Sequence, residues 1–574
     1  MTESKASCRN ALFLAHRDVL VYVFSLFAPP RSRNGSALIE TNECSALNWK
    51  KDLCNFMLVC KAWSDPALNA LWSHLDNLAP LLKLHSSLRE IDGSYFFLGS
   101  SSAGDVPGLN AGAKFNRYAR AVRSLSLTAE GSKKTLPISL AGMAWLGQEL
   151  KGVPLLPGLR RLYFSDPNSD SVHMGLLALI LSPTIEAIAF NGTFLSANTF
   201  HAYALPLVGR AAPTLRNLSL HDEKTAVPTS IWNSLPAVLS NLQLQTLSIR
   251  FPNNPALEAK FFGVLGKSLP NLTTLTLDVH TPSHGPSAEA LGQELLPHLK
   301  TLHLVNRSEC SICQCYPRFL LQRATSITFH LSANVPGSNA FGPSIETLST
   351  IHSLREVEIS TVYTVNRLSL VPFFQSLDLE SFKMGSGSIR IENGHAGLEI
   401  RDFIEAAYGG TDRKRKWHLR ELATPTLRYN SANHLTNYAP ISALVHIAQH
   451  GKGLERISLP INSIMPGTNQ ETLKSMIESW KAPAIPSTLR QLNIADMRPC
   501  GQGRSNDFKP GEYRELSRLL DMIFPDLETI TVMKGPRKER CWDEDWELIE
   551  ESRLMRKALR ISGKRVEPYV IAEG

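Results

Sequence analysis

Leucine and other aliphatic residues recur along this chain in the pattern L-x-x-L-x-L, in which x is mostly polar. Four clear copies begin at Leu215, Leu244, Leu272 and Leu299, so the repeating unit is about 27 to 29 residues long. The last copies lie farther apart, which indicates insertions between the C-terminal repeats. Strong and weak copies together cover Val122–Leu127, Leu159–Phe164, Ile185–Phe190, Leu215–Leu220, Leu244–Ile249, Leu272–Leu277, Leu299–Leu304, Ala324–Phe329, Leu354–Ile359, Leu454–Leu459, Leu489–Ile494 and Leu527–Val532.

Each copy predicts a short β-strand, because its last apolar positions alternate with polar ones at a period of two. An apolar stretch suited to a helix precedes most copies, and a breaker such as Pro270 or Gly451 separates the two. One helix and one strand cannot bury their apolar faces alone, whereas stacked copies form a continuous core. The predicted helical stretches are Ala256–Leu269, Ser287–Leu296, Ile441–His450, Glu471–Trp480 and Glu512–Phe524.

The fold class predicted by these repeats is α/β. The 27- to 29-residue period favours a leucine-rich-repeat solenoid (horseshoe) with a parallel sheet along one face, preceded by a small all-α unit. A doubly wound α/β domain is the alternative. It is disfavoured because the strands share one template and because no glycine-rich phosphate loop follows any of them.

The polar x positions of the strands predict a binding surface on the concave face of the solenoid. They supply hydroxyl, amide and charged groups, and we expect Ser248 and Thr276 among them. Serine and threonine also simply suit exposed strands, so the composite surface is a better candidate than any single residue. The residues predicted to contact a target protein are Arg161, Tyr163, Asn217, His221, Arg250, Asp278, His303, Glu356, Glu358, Arg456 and Asn493.

The sequence of residues 11–85 predicts a separate helical unit. Asp18 is a suitable N-cap for a helix that reaches Phe27, and Pro29 follows as a stop. Two further helices are predicted over Asp52–Trp63 and Pro66–Leu75. Their apolar residues are too dense for three short helices to cover. Some of them are therefore expected to face another protein or the first repeats.

The segments Asp18-Val-Leu-x-x-Val-Phe-x-x-Phe27, Leu58-Val-Cys-Lys-x-Trp63 and Leu71-Trp72 resemble an F-box. The whole chain is similar to the F-box and leucine-rich-repeat proteins of the fungal type. It differs from the motif in having no Leu-Pro at the opening and in a long link between the first two helices. The resemblance implies that the F-box docks on the Skp adaptor of a cullin-based ubiquitin ligase and that the repeats hold the protein to be modified. The residues implied for the adaptor-facing or supporting surface are Val19, Leu20, Val23, Phe24, Leu58, Val59, Cys60 and Trp63.

An equally simple interpretation is that these residues form the core of the three helices.

The C-terminal segment is predicted to be a cap, because acidic residues open its helix and basic residues close it, which suits the helix dipole. Trp542, Trp546, Leu548, Ile549 and Leu554 are expected to cover the last repeat. The predicted segments are residues 1–10 as a disordered N-terminus, 11–85 as an F-box-like helical domain, 86–120 as a linker or N-terminal cap, 121–533 as the solenoid and 534–574 as the C-terminal cap.

Composition restricts the class of protein. The chain has 574 residues, of which 20% are charged and 43% hydrophobic, as in ordinary globular proteins. A net charge of +8 over so long a chain does not argue for nucleic-acid binding. No stretch has the ~18 consecutive apolar residues that span a membrane. Nine scattered cysteines favour a reducing compartment, so a cytoplasmic or nuclear location is expected.

Motifs for chemistry are sparse. Cys310-x-x-Cys313-x-Cys315 is able to hold zinc with His303 as a fourth ligand, but structural sites usually pair two such knuckles. An insertion loop between repeats is the favoured interpretation. The basic run Arg413–Lys416 is either a nuclear localisation patch or, more simply, an exposed loop. The sequence has no P-loop, HExxH or G-x-S-x-G motif, so neither enzymatic activity nor a cofactor is expected.

Two functions follow. The first is a substrate-recognition subunit of a Skp–cullin–F-box ubiquitin ligase, and the second is a ligase-independent leucine-rich-repeat scaffold. An exposed apolar patch over the segments 19–24 and 58–63 would favour the first function. Burial of both segments against the repeats would favour the second.

Overall fold

The computed structural model forms two compact units, one comprising Met1–Pro282 with Glu289–Leu299 and the other Ser283–Ala288 with Lys300–Gly574. We refer to them as the first and second units. The structure describes residues 17–27, 43–85, 87–91, 94–97, 109–128, 138–165, 173–227, 229–253, 257, 259–280, 295–307, 312–331, 341–361, 373–374, 376–384, 419–423, 439–463, 469–483, 485–496, 508, 510–533 and 543–561.

The first unit begins with helices α1 (Arg17–Phe27), α2 (Glu43–Met57) and α3 (Lys61–Trp72). They pack around a core of Leu20, Phe24, Trp49, Leu53 and Ala67. The helical prediction is therefore confirmed, although its boundaries differ. The stretch predicted as one helix from residue 52 to 63 is interrupted at residues 58–60, where backbone turns replace the helical hydrogen bonds.

The predicted third helix also ends earlier than expected, at Trp72. Strand β1 (His74–Leu75) follows directly and pairs in parallel with the later strand β4 (Ser124–Thr128). The Ser73 carbonyl accepts the backbone N–H groups of Arg123 and Ser124, each at 2.9 Å. The helical segment is thus continuous with the first strand of the sheet.

Parallel strands form the sheet of the first unit. Each L-x-x-L-x-L copy in this unit is a strand, including the weak copies at 122–127 and 185–190. An antiparallel hairpin lies beside the sheet and consists of β2 (Leu88–Ile91) and β3 (Ser94–Phe97). The sheet order after β1 is β4, β5 (Arg161–Ser165), β6 (Ala187–Asn191), β7 (Asn217–His221), β8 (Thr246–Phe251) and β9 (Thr274–Val279).

Helices alternate with these strands, as the repeat predicts. The predicted helix 256–269 is present as Ala259–Ser268, whereas the predicted helix 287–296 falls largely outside the described residues. A 3₁₀ turn (Thr193–Ser196) and a π-helical turn (Phe200–Ala204) lie after β6. The helices are α4 (Ala79–Leu82), α5 (Leu109–Ala121), α6 (Leu140–Leu150), α7 (His173–Ile180), α8 (Leu205–Ala211), α9 (Thr229–Leu239) and α10 (Ala259–Ser268).

The second unit repeats this architecture. Its strands are parallel and in register, and the copies that begin at residues 299, 324, 354, 454, 489 and 527 are all strands. The short strand β15 (Ala439–Pro440) pairs with β16 (Arg456–Asn462) outside the main order. The main order is β10 (Thr301–Asn306), β11 (Ser326–Leu331), β12 (Glu356–Thr361), β13 (Ser381–Met384), β14 (Glu421–Ala423), β16 (Arg456–Asn462), β17 (Gln491–Asp496) and β18 (Thr529–Val532).

The predicted helices of the second unit are confirmed to within two residues at each end. The stretch around residues 441–450 is helical from Ser442 to His450. The helices are α11 (Ile312–Cys315), α12 (Arg318–Gln322), α13 (Phe341–Ser349), α14 (Ser442–His450), α15 (Asn469–Ser479), α16 (Pro510–Ile523) and α17 (Asp543–Ile561).

Two strands occur where the leucine template fades. In β13 the template survives with other apolar residues, because Leu379, Phe382 and Met384 stand at its three apolar positions and are buried. In β14 only the first half survives, as Leu419 and Leu422, both buried. The intervening residues 385–418 lie outside the described residues.

Within each unit, one backbone carbonyl before a strand joins that repeat to the next. In the first unit the Arg216 carbonyl accepts the N–H groups of Gln245 and Thr246, at 2.8 and 2.9 Å. The same paired bond recurs from repeat to repeat and fixes the register, so leucines stack on leucines. The first apolar positions of the copies, such as Leu215 and Leu244, are consequently buried. Both units are therefore stacks of the leucine-rich-repeat type.

The residues that carry this carbonyl alternate in charge through much of the second unit. Because each is bonded to the next by its backbone, their side chains lie in one row about 4.8 Å apart, where opposite charges attract. The Arg490 and Glu528 side chains form an ion pair at 3.8 Å. We call this row the charge ladder, and it consists of Arg355, Glu380, Arg420, Glu455, Arg490 and Glu528.

The C-terminal helix α17 ends the array by imitating a further repeat. The Glu528 carbonyl, which would accept backbone N–H groups from the next repeat, accepts Arg553 Nη2 at 2.9 Å instead. The Leu527 carbonyl accepts Arg553 Nη1 at 2.6 Å. In an interior repeat the corresponding Leu454 carbonyl accepts the Thr488 hydroxyl at 3.1 Å. One guanidinium group thus donates to both carbonyls that a further repeat would otherwise satisfy.

Only part of the predicted cap surface covers the last repeat. Trp546 and Ile549 are fully buried, as predicted. Leu548 and Leu554 are about half exposed, so their prediction was wrong. They lie on either flank of the helical face that carries Trp546, Ile549 and Arg553. Trp542 lies outside the described residues.

Reversing one member of the charge ladder should weaken the second unit. Glu455→Arg would place three cations in succession and should lower stability by about 1 kcal/mol at low salt. Glu455→Gln is the control. It should lower stability less, because it removes an attraction between charges without adding a repulsion. Urea unfolding at low salt and in 1 M NaCl measures the difference. A difference that persists in 1 M NaCl would contradict an electrostatic origin.

Removing the Arg553 guanidinium should destabilise the C-terminal end of the array. Arg553→Met leaves the Glu528 carbonyl and the Glu550 carboxylate without their donor, and leaves the Leu527 carbonyl with only the longer bond from Lys557, at 3.4 Å, which should cost about 3 kcal/mol. Arg518→Met on the exposed side of α16 is the matched control and should cost little. Urea unfolding and hydrogen exchange at residues 529–532 provide the measurement. Equal effects of the two variants would refute the capping role.

Candidate interaction surfaces

An aromatic cluster supports the surface of the N-terminal helices. The ring centroids of Phe24 and Phe56 lie 5.5 Å apart, and those of Phe24 and Trp63 lie 5.7 Å apart. Phe56 and Trp63 complete the triangle at 5.8 Å. These edge-on and tilted contacts join α1, α2 and α3, since each helix contributes one ring. The cluster holds α1 against the turn between α2 and α3.

The turn between α2 and α3 presents two large apolar side chains to solvent. Leu58 is 86% exposed and Val59 is 61% exposed. Backbone hydrogen bonds from Leu58 N to Asn55 O, at 3.0 Å, and from Val59 N to Phe56 O, at 3.2 Å, fix the turn. Exposure of two adjacent branched residues on an ordered turn is typical of an interaction surface.

Helix α1 adds further exposed apolar residues. Leu20 and Phe24 face the core, while Val21, Tyr22 and Val23 are exposed. A helix that is apolar on all sides is ordinarily covered on more than one side. We call the set Val21, Tyr22, Val23, Leu58 and Val59 the apolar patch.

The residues implied for adaptor binding therefore fall into two groups. Val23, Leu58, Val59 and Cys60 are exposed, and Val19 and Trp63 are half-buried. Leu20 and Phe24 are buried at 3% and 1% exposure, so they support the surface and do not form it. Sequence reasoning did not select Val21 and Tyr22, although the uninterrupted apolar run of α1 was the signal for them.

The predicted target-binding residues all lie on strands of the two sheets. They alternate with buried leucines, so they occupy the solvent-facing rows. The prediction of an exposed position was wrong for Ser248 and Thr276, because both side chains are buried.

The solvent-facing rows of the first unit carry few charges. Tyr163 Oη accepts a hydrogen bond from Asn191 Nδ2 at 3.2 Å. His221 Nε2 lies 3.2 Å from Glu223 Oε1. Strand register places His221 beside Arg250, and Arg250 beside Asp278. The first unit thus presents hydroxyl and amide groups interspersed with guanidinium groups.

The solvent-facing rows of the second unit are more acidic and largely self-bonded. Lys383 Nζ lies 3.0 Å from Glu421 Oε1, and Ser381 donates to the other Glu421 oxygen at 3.0 Å. Asn493 Nδ2 donates to the Ser458 hydroxyl at 2.8 Å. These bonds run across neighbouring strands, so each fixes a side chain within its row.

The cysteine cluster is only partly within the described residues. Cys315 is buried, and its thiol donates a hydrogen bond to Asn306 Oδ1 at 3.6 Å. Cys310 and the basic run Arg413–Lys416 lie outside the described residues, so the zinc and nuclear-signal interpretations stay predictions. Within the described ranges, no group of three His, Cys, Asp or Glu side chains is placed to hold a metal ion.

Two electrostatic perturbations lie away from these surfaces. Burial lowers the pKa of His85, and a smaller effect of Glu149 opposes it. The His85 ring stands edge-on to Phe115 and Trp145, at 5.2 and 5.0 Å, between α5 and α6. Burial also lowers the pKa of His201, whose Nε2 is 2.7 Å from the Leu195 carbonyl. Both histidines have a structural environment of aromatic rings or backbone.

Comparisons with known proteins give little beyond the fold. No family model matches the chain, and no curated protein matches it. One solved structure that resembles it is described as the crystal structure of a TLR13–ssRNA13 complex, at 15% sequence identity and a TM-score of 0.33. The match covers 67% of this chain and 58% of that chain. At this level the likeness carries no argument, and the repeat assignment rests on the strands and their register.

The helices described by the structure include none that is both long enough and apolar enough to cross a membrane.

The two groups of adaptor-surface residues should respond oppositely to mutation. Leu20→Ala opens a cavity in the helical core and should cost about 3 kcal/mol, whereas Leu58→Ser should be nearly neutral. Hydrogen exchange of α1 in the full chain should accelerate about a hundredfold in the first variant and stay unchanged in the second. Acceleration by Leu58→Ser would contradict the exposed position of this residue.

Proposed function

We propose that this chain is the target-recognition subunit of a Skp–cullin–F-box ubiquitin ligase. The apolar patch is the observation that carries the proposal. It occupies the segments that resemble the F-box and is exposed although the helices beneath it are packed. A partner that covers Leu58 and Val59 gains about 1.5–3 kcal/mol for each fully buried side chain. The Skp adaptor is the partner that the resemblance suggests.

The proposed division of labour places the adaptor on the N-terminal helices and the target on the sheet faces. The solvent-facing rows supply hydrogen-bonding groups on regularly spaced, rigid strands, which suits recognition of a protein segment. In this proposal the chain has no catalytic role and needs no cofactor, and ubiquitin transfer occurs on the cullin assembly. It acts within the ubiquitin conjugation pathway in the cytoplasm or nucleus.

A ligase-independent repeat scaffold is the second candidate, and one observation favours it. The chain passes from α3 directly into β1, and the Ser73 carbonyl begins the hydrogen-bond ladder of the sheet. The N-terminal helices thus serve as the end of the array whether or not they bind an adaptor. This role explains their packing but leaves the exposure of Leu58 and Val59 unexplained.

Adaptor binding by the purified full-length chain tests the proposal. Replacing Leu58 and Val59 together with Asp should weaken binding to the Skp adaptor at least tenfold, since the apolar contact is lost and two charges are buried. The matched control replaces Leu140 and Val153, two other exposed apolar residues, with Asp and should leave binding unchanged. Isothermal titration gives the affinities, and circular dichroism checks the fold.

Failure of the folded wild-type chain to bind the adaptor would reject the ligase role and favour the scaffold. Equal loss in the control variant would show that binding does not depend on the apolar patch.

A further inference from the structure

Two arginines stand out on the sheet face of the first unit. In its described strands β4 to β9, the charged side chains at solvent-facing positions are those of Arg161, Arg250 and Asp278. Arg161 and Arg250 are both half-buried. No ion pair to either guanidinium group is formed by the residues that the structure describes.

In the described part of the chain, the carboxylates near Arg250 form no ion pair with it. Asp278 is next to Arg250 in register but makes a contact of its own. Glu223 Oε1 lies 3.2 Å from His221 Nε2. A half-buried guanidinium group loses part of its hydration, and an anion in a low-dielectric setting compensates for that loss most effectively. The Arg250 position therefore favours a negatively charged ligand.

The surroundings of Arg161 also favour hydrogen-bond donation. Tyr163 lies two residues later on the same face, and its oxygen already accepts from Asn191. The phenolic O–H is consequently the part of Tyr163 that remains for a ligand. Asn217 and Thr246, which continue the Arg161 row in register, add an amide and a hydroxyl group. Donors predominate over carboxylates along this face.

We propose that the sheet face of the first unit binds an extended acidic segment of the target protein, with one anionic side chain at Arg161 and a second at Arg250. This inference rests on the proposed function, in which the sheet faces hold the target. The second unit contrasts with it, because its solvent-facing rows also carry Glu356 and Glu358, and its Lys383 ammonium group is paired with Glu421. Carboxylate and phosphate groups both suit the planar guanidinium fork, so the segment carries Asp, Glu or phosphorylated residues.

The strand register sets the spacing of the two anions. Arg161 is in register with Thr246, and Arg250 follows Thr246 by four residues. Three strand spacings of about 4.8 Å and four residues of about 3.3 Å give a diagonal on the order of 19 Å. An extended peptide covers this distance in about six residues. Two acidic side chains six residues apart should therefore bind better than two that are adjacent.

Binding of the full-length chain to synthetic peptides tests the inference. Four immobilised peptides share one neutral background of Gly, Ser and Asn. The first carries two Glu residues six residues apart, and the second carries two phosphoserines with the same spacing. The third carries two adjacent Glu residues, and the fourth carries two Lys residues six residues apart. Wild-type protein should prefer the first two peptides, and added salt should weaken binding. Arg161→Gln and Arg250→Gln should each reduce binding at least tenfold. Arg216→Gln, an exposed arginine beside the face, is the matched control and should have no effect.

Arg250→Lys keeps the charge but loses the fork, so its binding should be intermediate. Preference between the Glu and phosphoserine peptides identifies the anion, and either supports the inference. Binding that ignores both arginines, preference for the Lys peptide, or absence of binding to every peptide would overturn it. Arginine-dependent peptide binding without adaptor binding would reject the ligase role alone, and the reverse result would reject this inference alone.

Discussion

The structure depends on one repeated hydrogen-bonding constraint, the carbonyl before each strand that accepts two N–H groups from the next repeat. This bond fixes the strand register, and the register decides which residues are buried. Leucines then stack into a core that no single repeat could form. The same register turns isolated polar positions into rows, so the charge ladder and the two sheet faces follow from it.

The constraint leaves the first strand of the first unit and the last strand of the second unit without one neighbouring repeat, and the chain compensates for this differently in the two units. At the N-terminal end the Ser73 carbonyl, directly after α3, starts the ladder. At the C-terminal end the Arg553 guanidinium group supplies the missing donors from a helix. The N-terminal helices therefore join the repeats through the end of α3, and ion pairs from Asp65 to Arg117 and from Lys50 to Asp76 add to this attachment. This attachment leaves the apolar patch on α1 and on the turn after α2 open to a partner.

Much of the fold could be predicted because the repeat template is explicit in the sequence. The leucine template does not predict the strand at Ser381–Met384, because Phe382 and Met384 replace leucine there. Both side chains are nevertheless buried, as the leucines are in other strands. The sequence did not distinguish buried Leu20 from exposed Leu58. Leu58 is exposed because α2 ends at Met57 and places it on the following turn. The absence of an ion pair to Arg250 among the described residues could not be predicted either, because it depends on neighbours in other repeats. Sequence supplies the period, whereas tertiary packing decides which apolar and charged groups remain uncovered.

Hydrogen exchange of the full-length chain with and without the Skp adaptor tests the central claim most directly. That claim is that one chain offers an adaptor surface on its N-terminal helices and a separate target surface on its sheet. The account predicts new protection in residues 17–27 and 54–63 and unchanged exchange in strands β5 to β9. Protection in those strands, or no added protection anywhere, would contradict it.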